Sequence, residues 1–163
     1  MATNKTMKAT RTKAPQGMSA VDVLTAEHEE MRAALNRLEK ATGAERRSAA
    51  MTRTVDLIVR HAKAEEAVFY PAFREVARTS EDRKMFFEAH EEHHVVDVVI
   101  AELQAESPDS DVFAAKAKVL KDLVEHHAEE EEDEMFPRAR KLLDAAALRD
   151  LGARLQAFEQ DAS

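Results

Sequence analysis

The amino-acid sequence predicts an all-α protein: an antiparallel, up-down-up-down four-helix bundle with an additional C-terminal helix. Two observations lead to this prediction. The chain of 163 residues contains only three Gly and four Pro, and aromatic residues make up 5%. A protein rich in strands would have more turn residues and more aromatic and β-branched residues. A short motif also occurs twice, which indicates that two helices share one role.

The repeated motif reads His, three residues, Glu-Glu, four residues, Pro. It begins at His61 and again at His127. Side chains four residues apart lie one above the other on the same face of a helix. His61 with Glu65, and His127 with Glu131, can therefore each direct an imidazole nitrogen and a carboxylate oxygen to one point. This is the geometry of a metal-chelating pair.

Helix one is predicted to begin at a capping box formed by Ser19 and Asp22 and to end at Gly43. His28 lies on its apolar stripe, so this imidazole is expected to face the interior. The apolar residues of that stripe are Val21, Leu24, Met31, Leu35 and Leu38.

Helix two is predicted to begin near Ala44, with an apolar stripe that encloses His61 and Glu65. Pro71 is expected to interrupt its regular hydrogen bonding without ending the helical course, which continues to about Arg78.

Helix three follows a capping signal at residues 79–82. His90 and His94 are four residues apart on a side that also carries Phe86, and we expect both to face inward. His93 lies about 60° from His90 around the helix, and the pattern leaves its orientation open.

Helix four follows a turn at residues 107–110 and carries His127 and Glu131 with an apolar stripe. A last amphipathic helix, over about residues 144–160, is expected to pack against the bundle. The predicted organisation is thus a disordered basic tail (1–17), the bundle (18–143), and a C-terminal packing helix and tail (144–163).

The histidines also agree in register. His28 and His61 lie almost equally far along the chain from the turn between their helices, and so do His90 and His127. In an antiparallel pair, such residues stand at the same height. The four helices therefore bring histidines to one level, roughly 25 Å from the turns at 1.5 Å per residue. This predicts one interior site.

The chain contains no Cys, which leaves imidazole and carboxylate as its strong metal ligands. These ligands suit iron, manganese, zinc or copper. Five inward histidines and two carboxylates exceed what one ion needs, so the site is expected to be dinuclear. The candidate ligands are His28, His61, Glu65, His90, His94, His127 and Glu131.

For one candidate ligand, Glu131, the sequence offers an alternative residue. Glu131 stands in a run of acids from Glu129 to Glu134, and only the repeat distinguishes it from Glu132, which stays open as the alternative. We expect His126, beside His127, to be exposed or to support the site from outside.

The inward His of helix one, the His-x-x-x-Glu of helices two and four, and the His-x-x-x-His of helix three resemble a hemerythrin-type (HHE) cation-binding domain. The resemblance covers roughly residues 19–143. It implies a non-haem di-iron centre, with two iron ions joined by an oxo or hydroxo bridge. It also implies His90, His94 and His127 on one iron, His28 and His61 on the other, and Glu65 and Glu131 as bridges. The iron with two histidines would keep an open position for dioxygen or another small ligand.

The chain departs from the oxygen-carrying branch of that family, in which the acid of helix four is an Asp five residues after its His. Here Glu131 stands four residues after His127. A ferritin-like di-iron bundle would instead need two Glu-x-x-His pairs. Only Glu91 with His94 has that spacing, which argues against this alternative.

Three functions remain open. The first is the capture of dioxygen, nitric oxide or peroxide for sensing, storage or detoxification, which needs an apolar pocket. The second is an enzyme that turns over peroxide or nitric oxide, for which Tyr70 and Asp97 are the candidate proton donors. The third is a metal-stapled regulatory module. A metal- and small-ligand-binding protein is favoured over an enzyme. The expected pocket residues are Leu24, Met31, Leu57, Ile58 and Val124.

Charge and hydropathy argue against other partners. The net charge is −8 although Lys5, Lys8, Arg11 and Lys13 precede any acid, so the rest of the chain is strongly acidic and should repel nucleic acid. No apolar run approaches the roughly 20 residues of a membrane span. We therefore expect a soluble, cytoplasmic protein that binds neither membrane nor nucleic acid. The sequence does not identify a protein partner.

Overall fold

The computed structural model describes residues 17–161, so the tail predicted to be disordered lies outside the described residues except for Gly17. Residues 17–161 form helices and no strand, which confirms the all-α prediction. The α-helices are α1 Ala20–Lys40, α2 Ala44–Ala64, α3 Tyr70–Val76, α4 Ser80–Ala105, α5 Asp111–Glu130, α6 Phe136–Leu142 and α7 Ala145–Asp161. The first π turn, Glu65–Phe69, joins α2 to α3, and the second π turn, Glu131–Met135, joins α5 to α6.

Each π turn begins at the Glu of the repeated motif and is followed by its proline. The N–H of Tyr70 donates to the carbonyl of Glu65, five residues back instead of four. Pro71 has no N–H, and its ring would clash with the carbonyl four residues earlier, so the helix widens by one residue before it. The same arrangement precedes Pro137. The prediction that proline interrupts the hydrogen bonding while the helical course continues is confirmed.

The predicted helix starts agree with the structure. Ser19 and Asp22 form a reciprocal capping box at the start of α1. Thr79 and Asp82 form a second capping box at the start of α4. Gly43 follows α1 with φ at 82°, in the left-handed region where a residue without Cβ is favoured.

Buried apolar side chains form two clusters. Along α1, His28 lies between Leu24 of the first cluster and Met31 of the second. A polar layer therefore separates the two halves of the core. The first cluster includes Leu24, Phe69, Phe73, Phe86, Phe136, Leu151 and Leu155. The second includes Met31, Leu35, Ile58, Val96, Leu103, Phe113, Leu120 and Val124.

Helix α1 packs against α2, α5 and α7, and α4 packs against α5 and α3. Leu148, Leu151 and Leu155 of α7 are buried in the first cluster, in agreement with a packing role. A Cβ on Gly152 would lie 2.2 Å from the carbonyl oxygen of Met18, so the close approach of α7 to the chain before α1 requires glycine here. Among residues 17–161, no helix combines the length and the apolar character that crossing a membrane requires.

Asp82 ties the start of α4 to α6. Its buried carboxylate accepts hydrogen bonds from the backbone N–H groups of Arg78 and Thr79 and from the guanidinium of Arg138. Arg138 lowers the pKa of Asp82, and burial only partly opposes this effect. A carboxylate with a lowered folded-state pKa stabilises the fold above its unfolded pKa, near 3.8, and this contribution is lost as the pH falls below that value.

Asp82→Asn should therefore lower the free energy of unfolding at pH 7 by about 1.5–3 kcal/mol, the usual contribution of hydrogen bonds to a charged group. Urea unfolding at pH 7 and pH 3 measures this, and the difference from wild type should shrink at pH 3. Asp122→Asn, at an exposed residue paired with Lys118, is the matched control and should change little. An equal loss in both variants would contradict the prediction.

Candidate metal centre

Six ionisable side chains meet in the polar layer, and none is more than 6% exposed. They come from α1, α2, α4, α5 and the two π turns. Charged or polar side chains at this depth need partners or a metal ion. The six are His28, His61, Glu65, His93, His127 and Glu131, and five of them are candidates from the sequence.

The prediction that His90 and His94 face inward is wrong. Both are exposed, and His93 is the histidine that α4 turns towards the centre. The reason is the spacing of the buried residues of α4, which alternates between three and four. His93 falls within that series, whereas His90 and His94 lie beside it. The series is Asp82, Phe86, Ala89, His93, Val96, Ile100 and Leu103.

The four histidines form two pairs whose Nε2 atoms face each other. The two Nε2 atoms are 3.1 Å apart in the pair His28 and His61, and also in the pair His93 and His127. Two imidazole nitrogens at this distance share either a proton or a cation, since two lone pairs would repel each other.

The Nδ1 atom of each of these histidines contacts a different glutamate. A carboxylate only accepts hydrogen bonds, so Nδ1 carries a proton, and Nε2 presents a lone pair to the centre when the ring is neutral. Carboxylate partners of this kind orient metal-binding histidines in proteins. The distances from Nδ1 are 2.7 Å from His28 to Glu132, 2.7 Å from His61 to Glu27, 2.9 Å from His93 to Glu66, and 2.7 Å from His127 to Glu92.

Glu65 and Glu131 lie between the two histidine pairs. Glu65 Oε2 is 3.3 Å from Nε2 of His61 and 3.3 Å from Nε2 of His93. Glu131 Oε2 is 3.3 Å from Nε2 of His28 and 3.7 Å from Nε2 of His127. Glu65 Oε1 and Glu131 Oε2 are buried and form no hydrogen bond. Unpartnered buried carboxylate oxygens fit a centre that binds cations.

The electrostatics of the centre favour positive charge. Burial opposes protonation of His61, yet the carboxylates of Glu65 and Glu27 outweigh burial and raise its pKa to about 10. Burial likewise opposes protonation of His127, but Glu131 and Glu65 raise its pKa well above the ordinary value. Burial favours the neutral acid at Glu65, but the neighbouring histidines hold the pKa of Glu65 well below its ordinary value. Without a cation, this layer retains protons instead.

Tyr70 adds a hydroxyl to the centre. It follows the first π turn, is fully buried, and donates to Glu131 Oε1 at 2.8 Å. Its oxygen also lies 3.3 Å from Glu65 Oε2 and 3.2 Å from Nε2 of His93. Burial raises the pKa of Tyr70 well above its ordinary value, and the carboxylates of Glu131 and Glu65 add to this, so the hydroxyl stays protonated.

Glu131, not Glu132, belongs to the buried layer. Glu132 is partly exposed, and its Oε1 contacts both Nδ1 of His28 and the guanidinium of Arg32, at 3.0 Å. The second Glu of the motif therefore supports a histidine from outside. This agrees with the internal repeat, since Glu66 has the same role at His93.

Sequence reasoning missed His93, Glu27, Glu66 and Glu92. A signal was present for part of this set, because Glu27-His28 and Glu92-His93 are the same dipeptide. The two halves of the chain thus correspond throughout the centre, with one exception. Phe136, stacked on His28 at 5.6 Å between ring centroids, stands in the second half where Tyr70 stands in the first.

A cavity of about 20 Å³ adjoins the centre. Of the pocket residues expected from the sequence, Met31, Ile58 and Val124 line it. Leu24 does not, because it lies in the first cluster, on the other side of the polar layer. Leu57 is partly buried and packs against the second cluster. The cavity is also lined by His61, His93, Val96, Asp97 and His127.

The donor atoms fall into two groups compact enough to hold metal ions, each with its atoms within 4.8 Å of one another. One consists of His28, His61, Glu65 and Glu131, and the other of Glu65, His93 and His127. Glu92, His126 and Glu130 form a further, more exposed group, which agrees with the expected exposure of His126.

Comparison with known proteins identifies a family and a similar fold. The family model described as hemerythrin HHE cation binding domain matches residues 19–139. The chain is also similar to the crystal structure of a hemerythrin HHE cation binding domain-containing protein from Mycobacterium kansasii, with a TM-score of 0.75 and 24% sequence identity. That similarity covers 89% of this chain and 90% of the other. No curated protein matches the chain.

Proposed function

Because the chain belongs to the hemerythrin HHE cation-binding family, we propose that its buried centre holds two iron ions with an oxo or hydroxo bridge. The protein would use this centre to capture dioxygen, nitric oxide or peroxide for sensing, storage or detoxification. Membership of the family and two compact His/Glu groups support cation binding. The absence of Cys from the chain and the mixture of nitrogen and oxygen donors are compatible with iron.

The same proposal includes the bundle topology. Helices α1, α2, α4 and α5 would run up-down-up-down within residues 18–143, with residues 144–163 as a packing helix and tail. The connections from α1 to α2 and from α4 to α5 are short, and each of these pairs is in contact. Short connections favour antiparallel neighbours.

The observation that carries the proposal is the pair of facing Nε2 atoms in each half of the centre. Each ring donates its Nδ1–H to a carboxylate, so its Nε2 is a lone-pair donor fixed in direction. Here both inner nitrogens of each pair point at each other, 3.1 Å apart. A shared cation is the simplest partner for both.

The proposed ligand sets are symmetric. His28 and His61 would hold one ion, His93 and His127 the other, and Glu65 and Glu131 would lie between the ions. This replaces the three-plus-two distribution that the resemblance implied, because His90 and His94 are exposed. Iron in such a site supplies reversible electron transfer to a small bound molecule. Two histidines and shared carboxylates leave room for a further ligand on each ion.

The cavity beside the centre supports a ligand of diatomic size. Its volume of about 20 Å³ is close to the minimum that admits one water molecule. Met31, Ile58, Val96 and Val124 give it an apolar wall, which favours a small molecule of low polarity over a charged metabolite.

The direct test is to purify the protein with iron, measure its metal content, and record absorption spectra before reduction, after reduction and after re-aeration. The expected content is two iron atoms per chain. The spectrum of the oxidised protein should disappear on reduction and return with air. A folded, reconstituted protein with one iron atom or fewer would contradict the proposal.

Ligand access can be tested at the cavity wall. Val124→Leu adds a methylene to a cavity that is already small, so azide should bind the oxidised iron protein about tenfold more slowly, with the iron content unchanged. Val55→Leu enlarges a buried valine of the same cluster that does not line the cavity. Stopped-flow absorbance measures both variants. Equal rates for Val124→Leu and wild type would show that ligands enter elsewhere.

A second candidate function, turnover of peroxide or nitric oxide, is favoured by Tyr70. Its protonated hydroxyl lies within 3.3 Å of side-chain atoms of Glu65, His93 and Glu131, where it can donate a hydrogen bond or a proton. Asp97, the other expected proton donor, is exposed and lines the cavity.

Tyr70→Phe distinguishes the two functions and copies the Phe136 found in the other half of the centre. If the protein is an enzyme, turnover should fall by about 10²-fold or more, the usual contribution of a positioned acid, while the iron content stays the same. If the protein only binds its ligand, azide binding and iron content should both change little.

A further inference from the structure

The two halves of the centre differ in what covers them. Helix α7 packs against α1, α2 and the first π turn, where Val23, Ala64 and Val68 are buried in the first cluster. When the two halves are aligned on their histidines, three acids stand in the second half where the first has these apolar residues: Glu88 for Val23, Glu130 for Ala64 and Glu134 for Val68. The side of the centre that α7 covers is therefore apolar, and the corresponding side in the second half of the chain is acidic.

The acidic side contains a cleft of about 120 Å³ between α4 and the end of α5. Glu131 forms part of its wall, although only 2% of this residue is exposed. Lys84 lies at the rim, where it pairs with Glu88 at 2.9 Å. The cleft thus extends from exposed carboxylates to Glu131, a residue of the buried centre. Its acidic lining is Glu88, Glu92, Glu130, Glu131 and Glu134.

Three donors beside this cleft are close enough to bind one ion. Single ligand atoms of Glu92, His126 and Glu130 lie within 4.8 Å of one another, and His126 Nε2 is 3.3 Å from Glu130 Oε1. Glu92 also contacts the centre directly, through its 2.7 Å hydrogen bond with His127. Each member of the group also directly precedes a residue of the buried centre: Glu92 precedes His93, His126 precedes His127, and Glu130 precedes Glu131.

We propose that this cleft is the entrance for divalent metal cations, and that Glu92, His126 and Glu130 bind the incoming ion before it reaches Glu131 and His127. The inference rests on the proposed function, because it supplies the path by which the buried centre is loaded. Carboxylates and one imidazole suit a partly hydrated divalent ion, which exchanges water for oxygen ligands stepwise. An acidic cleft also raises the local concentration of cations and their rate of association.

The test compares two double variants in which Gln replaces exposed residues. Glu130→Gln with His126→Gln removes the charge and the imidazole of the entrance while keeping similar size. Glu129→Gln with His94→Gln removes the same charge and imidazole at exposed positions outside the group. Co²⁺ uptake by metal-stripped protein is followed by stopped-flow absorbance. The final Co²⁺ content and the rate of Co²⁺ release to a chelator are measured with it.

The entrance variant should take up Co²⁺ about tenfold more slowly than wild type, within the range by which charged clefts change association rates. It should also release Co²⁺ about tenfold more slowly and reach the same final content. A change confined to the path slows entry and exit by the same factor and leaves the equilibrium affinity unchanged. The control variant should stay within about twofold of wild type, because its exposed residues line no path to the centre.

Equal uptake in wild type and the entrance variant would overturn the inference, and so would equal slowing in both variants. A lower final content with unchanged rates would also overturn it, since that would make these residues part of the final site. A wild-type protein that binds no Co²⁺ or iron in its buried centre would instead contradict the proposed function.

Discussion

His93→Ala should abolish the binding of one of the two proposed metal ions, whereas His90→Ala and His94→Ala should retain both. His93 Nε2 faces His127 Nε2 at 3.1 Å and Glu65 Oε2 at 3.3 Å, so its removal leaves a buried donor set one nitrogen short. The outer partners of metal-binding histidines contribute 10–100-fold to affinity, and loss of the ligand itself should exceed about 100-fold.

Metal content after dialysis against a weak chelator measures this, with circular dichroism to confirm that each variant is folded. His90 and His94 are matched controls because they are exposed histidines of the same helix. Loss of metal from His94→Ala with retention in His93→Ala would mean that α4 is rotated by about 100° relative to the structure, the angle between successive residues.

The histidines of α4 show which residues of the centre the sequence could predict and which it could not. The repeat selected four residues that the structure buries, because a motif that occurs twice constrains which residues of an acidic, histidine-rich helix face inward. His28 followed from an apolar stripe without competing positions. For α4 neither constraint applied. Exposed Phe87, Val95 and Val98 gave that helix apolar residues on more than one side, and the pair of His90 and His94 resembled a chelating pair.

The spacing of Phe86, Ala89, Val96, Ile100 and Leu103 does select His93, and so does the Glu-His dipeptide shared with α1. Which glutamate supports which histidine could not be predicted. Each such contact joins two helices, so it depends on their relative rotation and height. A single-sequence pattern fixes the faces of each helix separately.

The contacts that Tyr70 makes in the centre were also beyond the sequence pattern. On a regular helix, Tyr70 would lie about 140° around the axis from Glu65, because five steps of 100° separate the two residues. The π turn before Pro71 instead bonds Tyr70 N–H to the carbonyl of Glu65 and brings the tyrosine beneath the carboxylate. Pro71 predicted an interruption of the helical hydrogen bonding. The direction in which the Tyr70 side chain then points follows only from the structure.

Removal of the metal ions should destabilise the protein, and the loss of stability should be larger at pH 9 than at pH 6. Binding to the folded state alone stabilises by about 4 kcal/mol when the free metal exceeds its Kd by 1,000-fold. In the stripped protein, protons take over part of this role, since Glu65 and Glu27 raise the pKa of His61 to about 10 against the effect of burial.

The sign of the pH dependence follows from that direction. A histidine whose folded-state pKa is raised contributes its full stabilisation below its unfolded pKa, near 6.5, and loses it as the pH rises towards about 10. A metal-bound histidine is already deprotonated, so the loaded protein has no such loss, and its affinity for metal rises as protons stop competing. Between pH 6.5 and 9 the stability difference should grow by on the order of 1.4 kcal/mol per pH unit for each proton displaced.

Thermal unfolding of loaded and chelator-stripped protein at pH 6, 7.5 and 9 measures this difference. His94→Gln is the control, because His94 is exposed and lies outside the buried layer, and it should leave the pH dependence as in wild type. His93→Ala should reduce it, since one imidazole fewer takes part in the exchange of protons for metal. A difference in melting temperature that is constant from pH 6 to 9, or that narrows, would contradict a centre in which cations replace protons between the histidines and the two glutamates.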